Sequence, residues 1–302
     1  MSISDISTSI GNIHLSNPLI LASGILDENG HTMKRILSEG AAAVVTKSIG
    51  MEERNGYKPP IVATDDPIFI NAVGLPNPGI NDVGEEIKIA RESGKPIIGS
   101  IFGKDENEFI HLAVKMQEYG VSAVELNLSC PHVKGFGSEI GGDPTLVKKI
   151  VKGVKGSISI PAWAKLSPNV TNLLDIAIAA SDSDALVLIN TVRGMKIDIY
   201  SGRPVLSNKV GGLSGSSIKP VGIRCVYEVK SNLDIPVIGV GGIESALDAV
   251  EYIMAGATAV QIGTALWKYG RAVFSKVSME LVEFMSSEGY EKIEEFRGIA
   301  LK

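Results

Sequence analysis

One recurrence limits what this chain can fold into. Short apolar runs of roughly four to six residues, several rich in β-branched side chains, alternate with amphipathic stretches along the sequence. The runs are Leu19–Ser23, Ala42–Thr46, Ile97–Phe102, Ala123–Leu128, Ala162–Leu166, Ala185–Ile189, Val237–Val240 and Ala259–Ile262. Between them lie helical patterns at Asp105–Tyr119, Asp143–Val154, Ser216–Ser231 and Ser245–Ala255; Asp105 and Ser245 stand where N-caps belong, and Gly120 and Gly256 where helices stop. Eight strand–helix units without a compositional break predict an α/β fold, a (β/α)8 TIM barrel. A doubly wound open sheet is the alternative, but it usually has fewer strands.

Spacing locates the elaborations. Most strands start roughly 25 residues apart, about one βα unit. The second-to-third and sixth-to-seventh intervals are about twice that, which places extra loops at Gly50–Ile80 and Arg193–Gly215, both after the C-terminal end of a strand, where barrels build their sites. Ile3–Ser7 and Ile10–Leu15, around Gly11, read as an N-terminal hairpin covering the barrel's other end. No linker or low-complexity segment interrupts residues 1–302, so one domain is expected.

Composition excludes several classes. With 29 Lys+Arg against 34 Asp+Glu, the net charge of −5 and the scattered basic residues argue against nucleic acid. No apolar run approaches the ~18–20 residues of a membrane span, and residues 1–5 carry no basic or hydrophobic leader, so a cytoplasmic protein is expected. Two cysteines form no disulfide framework and are too few to ligate an iron–sulfur cluster. No metal site is expected.

Alternation of side chains assigns faces. In the fourth strand Val124, Leu126 and Leu128 face the helices, which turns Glu125 and Asn127 into the barrel. Glu125 reads as one half of a structural ion pair with an interior lysine, because an unpaired charge there is expensive. Asn127, at the C-terminal lip, reads as a site residue. Lys47 and Lys165 each close an apolar strand; they are either solvated surface lysines or cations awaiting an anionic cofactor or substrate. Cys130 follows at the fourth lip, ahead of Gly135, Gly137, Gly141 and Gly142, a stretch with the composition of a mobile lid. It is a candidate nucleophile or base, against the common fate of a free cysteine as an inert buried thiol; Cys225, mid-helix, reads as core packing. Glycines at Gly211-Gly212-Leu-Ser-Gly215, Gly239-Val-Gly241-Gly242 and Gly263-Thr264 suit the barrel's usual phosphate site, where backbone N–H groups approach an anion closely. The dinucleotide fingerprint is absent, Glu244 standing in its sixth position, so a mononucleotide-type cofactor or a phosphorylated substrate is expected.

Asn-Leu-Ser-Cys-Pro at 127–131, Asn-Ala-Val-Gly-Leu-Pro-Asn-Pro-Gly at 71–79, Val-Thr-Lys-Ser at 45–48, Lys-Leu-Ser-Pro-Asn at 165–169, Gly-Gly-Leu-Ser-Gly at 211–215 and Gly-Val-Gly-Gly-Ile at 239–243 occur in one order along the chain. Together they resemble the catalytic subunit of the class 1 dihydroorotate dehydrogenases, most closely type 1B. The resemblance implies an FMN-binding barrel that oxidises dihydroorotate to orotate in pyrimidine biosynthesis. It also implies a homodimer core and a partner subunit carrying FAD and a [2Fe–2S] cluster that passes electrons to NAD. Ser23, Lys47, Ser48, Asn127, Lys165, Ile189, Gly215, Gly241, Gly242, Gly263 and Thr264 would hold FMN. Lys47, Asn71, Ala72, Val73, Gly74, Leu75, Asn127, Asn190 and Thr191 would hold the substrate. Cys130 would take the C5 proton while hydride leaves C6 for the flavin. Two positions depart from the family pattern: Ser100 stands where an Asn often contacts the flavin, and His132 where an Asn often touches the substrate. Cys-Pro-His also resembles the flavin domain of dihydropyrimidine dehydrogenase, which is one alternative; a fumarate-using type 1A homodimer is the other.

Overall fold

A computed structural model describes residues 4–128 and 140–302. Eight parallel strands close a barrel in sequential order: Leu19–Leu21, Ala43–Val45, Ile97–Ile101, Ala123–Asn127, Ala162–Leu166, Ala185–Leu188, Val237–Val240 and Ala259–Ile262. These are the eight expected runs. Several end one or two residues early, leaving Ser23, Thr46, Phe102, Leu128 and Ile189 just outside the strands. Helices follow the strands in turn, from Gly30–Ser38 through Glu106–Glu118, Pro144–Lys155 and Lys219–Lys230 to Ala246–Met254. The predicted caps are made: Asp105 accepts from the Glu108 N–H, and Ser245 with Asp248 forms a capping box.

Alternation along each strand sorts the core into two layers. Outward residues such as Val124, Leu126, Val260 and Ile262 pack under the helices. Inward residues Ile20, Val45, Ile98, Trp163, Val187 and Ile238 fill the barrel from below together with Ile10, Ile13 and Leu15. Those last three belong to the N-terminal hairpin, which therefore plugs the N-terminal end. Its arms are Thr8–Ile10 and Ile13–Leu15, so the first arm lies later than the expected Ile3–Ser7, next to the turn at Gly11-Asn12.

The two long insertions meet rather than forming separate loops. Val62–Asp65, Ile68–Asn71, Val210–Ser214 and Val192–Met195 pair antiparallel, in that order, into one small sheet at the C-terminal end of the barrel. Among the described residues, no helix is long and apolar enough to cross a membrane.

Candidate active site

The lip of the barrel and the insertion sheet enclose a cavity of about 450 Å³, within the usual range for a small-molecule site. The strand ends supply its walls. Ser23 and Gly24 follow the first strand, Lys47 and Ser48 the second, and Asn127 ends the fourth; Lys165 comes from the fifth, and Ile189, Asn190 and Thr191 from the sixth. Gly241 and Gly242 follow the seventh, and Gly263 and Thr264 the eighth. The insertion sheet and the turns after its strands add Asn71, Val73, Gly74, Leu75 and Gly215.

Two of the expected residues stand behind the wall. Ser100 is fully buried, and its hydroxyl lies 2.8 Å from the Ser48 hydroxyl, which also receives the Asn127 amide at 3.1 Å. Ser100 therefore supports two lining residues and does not itself face the cavity. Ala72 is also fully buried and points away, as alternation from Asn71 requires. Cys130 and His132 lie outside the described residues.

Polar groups converge on the cavity from several strands. Asn190 donates to Asn127 Oδ1 at 3.3 Å, and its own Oδ1 accepts the Thr191 N–H at 2.8 Å. Arg54 Nε donates to the Gly74 carbonyl at 2.7 Å and holds the 71–75 segment against the lip. Lys47 is 9% exposed, and its ammonium meets Glu28 at 3.1 Å. Lys165 Nζ lies 3.3 Å from Glu125 Oε1 and donates to Gln261 Oε1 at 3.3 Å, so the interior ion pair read from the sequence is made.

The glycine lip is narrower than the sequence suggested. Gly211 and Gly212 are residues of the insertion strand Val210–Ser214 and do not line the cavity; a Cβ on Gly212 would sit 2.1 Å from Thr191 Oγ1, so close packing against the sixth lip demands glycine there. Gly215, Gly242 and Thr264 do come together. At Gly242, with φ 70°, a Cβ would lie 2.8 Å from the Gly215 carbonyl. This close-set backbone can admit an anionic group that side chains would exclude.

Gln261, a lining residue, escaped the sequence reading although the signal was there. In Ala259–Ile262 the outward residues are Val260 and Ile262, so the polar Gln261 must face inward, as Glu125 does. Phe69 and Trp267, stacked edge to face at 5.9 Å on the rim, carried no such signal.

Asp27, 2% exposed in the loop after the first strand, accepts the Gly24 N–H at 2.5 Å. Burial raises its pKa from 3.8 to about 6, with the Lys47 charge and the Gly24 N–H pulling the other way. Between those values the folded chain keeps a proton that the unfolded chain has released, so stability falls as pH rises through this window. Against Asp27→Asn, the wild type should lose about 2 kcal/mol between pH 4 and pH 6.5, the larger part of the ~3 kcal/mol that the full shift is worth at 1.36 kcal/mol per pKa unit. Denaturant unfolding of both proteins across that range checks this; parallel pH curves would show that Asp27 does not titrate there.

A closed (β/α)8 barrel with two lysines, an amide cluster and a glycine cradle in one lip cavity defines a barrel protein equipped for an anionic, planar ligand. Residues 5–285 match the family model described as dihydroorotate dehydrogenase. The chain belongs to that family. It is 61% identical over 299 residues to the "Dihydroorotate dehydrogenase B (NAD(+)), catalytic subunit" of Thermoplasma volcanium, covering 99% of each chain. Proteins of the same name from Thermoplasma acidophilum and Methanocaldococcus jannaschii are 59% identical over 298 residues, covering 99% of each chain, and 49% identical over 301 residues, covering 98% of each.

Proposed function

We propose that this protein is the FMN-dependent catalytic subunit of an NAD-linked dihydroorotate dehydrogenase, oxidising (S)-dihydroorotate to orotate in pyrimidine biosynthesis. The observation that carries the reading is the convergence of Lys47, Asn127, Asn190 and the 71–75 segment with the Gly215–Gly242–Thr264 cradle in one cavity. Two groups of residues in that cavity offer different chemistry. The cradle suits the cofactor's phosphate, and the amides offer donors and acceptors matched to the imide edge of a pyrimidine.

The cavity fits a flavin mononucleotide on its own terms. Its backbone approaches closely where a phosphate would sit, and apolar walls from Ile25, Ile189 and Val240 suit a flat ring. Ser23, Lys47, Ser48, Asn127, Lys165, Ile189, Gly215, Gly241, Gly242, Gly263 and Thr264 would hold it, with Ser100 acting through Ser48. Bound flavin supplies a hydride acceptor. The remaining tasks fall to the protein. Lys47 neutralises the substrate carboxylate. Asn71, Asn127, Asn190 and Thr191 orient the ring, a task in which the family resemblance also gives His132 a part. Cys130, as thiolate, takes the proton from C5.

The proposal extends to assembly: one barrel domain over 1–302, a homodimer core, and a partner carrying FAD and a [2Fe–2S] cluster, all in the cytoplasm. The chain should purify with about one FMN, released by denaturation, and anaerobic dihydroorotate should bleach the flavin spectrum. Artificial acceptors should then be reduced by the isolated chain, but NAD only after the second polypeptide is added. A chain that takes up no flavin on reconstitution overturns the reading; efficient NAD reduction by the isolated chain overturns the two-subunit part of it.

A further inference from the structure

Glu125 has no part in the mechanism above, yet its placement is costly. It is fully buried inside the barrel, paired in register with Ser100 and Trp163, one layer below Asn127 and Lys165. Its Oε2 accepts the Gln261 amide at 2.6 Å, while Oε1 accepts no hydrogen bond among the described residues and faces the Lys165 ammonium at 3.3 Å. Gln261 closes the triangle by accepting from Lys165. Buried ion pairs of this kind are often matched or bettered in stability by apolar residues of the same volume. Folding alone therefore gives a weak reason for three polar side chains from the fourth, fifth and eighth strands to meet across the barrel.

Position supplies a better one. Lys165 and Gln261 form part of the cavity wall, and Glu125 stands behind them. We propose that Glu125 is a positioning residue and counter-charge that, with Gln261, fixes Lys165 at the cavity floor and tempers its field, so that the floor stabilises a reduced flavin without trapping its electrons. This rests on the FMN reading given above. A lone floor cation would favour the anionic reduced ring strongly over the neutral oxidised one; a carboxylate 3.3 Å behind it weakens that preference. A chain whose electrons must move on to another acceptor needs that balance.

The charge pattern makes a signed prediction. Midpoint potentials of bound FMN are measured by equilibration with reference dyes in the wild type, Glu125→Gln, Lys165→Gln and the double variant. Glu125→Gln should raise the preference for reduced over oxidised flavin about tenfold, equivalent to ~30 mV for a two-electron couple. Lys165→Gln should lower it by at least as much. The double variant, which restores neutrality, should fall between the two singles. A role in packing alone would not give opposite shifts that offset one another. If Glu125→Gln fails to fold, the comparison of Lys165→Gln with the double variant carries the same test, and the double variant must lie about tenfold higher. An unchanged or lowered potential in Glu125→Gln, or a double variant outside the interval between the singles, overturns the inference. Wild type that binds no FMN sinks the proposed function, whereas FMN-bound proteins whose potentials do not follow this order sink only the role of Glu125.

Discussion

Cys130→Ala is expected to slow anaerobic reduction of the bound flavin by dihydroorotate by about 10²-fold or more, the usual contribution of a positioned base, with FMN content unchanged. Loss of hydride from C6 leaves the C5 proton to be removed, and the family resemblance, together with its place just after the fourth strand, gives that task to Cys130. The chain carries its own control. Cys225 is fully buried in the helix Lys219–Lys230, where desolvation pushes its thiol up to about 11. A thiol so shifted holds its proton at neutral pH and is no base. Cys225→Ala should therefore leave the reduction rate alone and cost at most a small packing penalty. Stopped-flow absorbance under anaerobic conditions reads both; equal slowing by the two substitutions would refute the assignment of Cys130.

The barrel was legible because its strands lie buried on both faces. Val124, Leu126 and Leu128 on one side and the interior residues on the other give runs that stand out against the amphipathic helices. The same alternation turned Glu125 inward and called for a lysine to pair with it, without saying which, and applied to Ala259–Ile262 it also identifies Gln261. The insertion sheet was not legible in this way. Val62–Asp65 is mostly exposed and turns through Asp66-Pro67, while Val210–Ser214 carries two glycines, so neither reads as a strand from its own composition. Val62–Asp65 pairs with the neighbouring Ile68–Asn71, but what joins the two insertions is a pairing across more than a hundred residues: Gly212 stands opposite Asn71, and it also packs on Thr191. Tertiary packing of that kind also explains why Gly211 and Gly212 looked like part of an anion cradle. Glycine is needed for close approach in both settings, and sequence does not say to what.

Lys47→Met should raise the KM for dihydroorotate and the Kd for orotate about 10²-fold, once FMN loading has been verified, because truncating one partner of a desolvated charge pair costs ~2–5 kcal/mol. Lys47 is nearly buried at the second lip, and among the described residues its ammonium pairs with Glu28, whose side chain is 68% exposed. A substrate carboxylate would replace Glu28 at the ammonium and release it to water at little cost, so Glu28→Gln should tighten orotate slightly. The same lysine sets the choice between dihydropyrimidines. Dihydrouracil has no carboxylate to displace Glu28 from the buried cation and forgoes that charge-assisted contact, worth roughly 1–3 kcal/mol, so the wild type should prefer dihydroorotate by at least about tenfold. An imidazole in place of the family's Asn, as the resemblance implies for His132, can still offer one hydrogen bond. Lys47→Met should narrow the preference by weakening dihydroorotate alone, and His132→Asn should leave it in the same direction. Anaerobic reduction by each compound in the three proteins separates these effects. Equal losses for both substrates in Lys47→Met would remove the lysine from carboxylate recognition, and faster wild-type reduction by dihydrouracil would move the substrate to the uncharged pyrimidines.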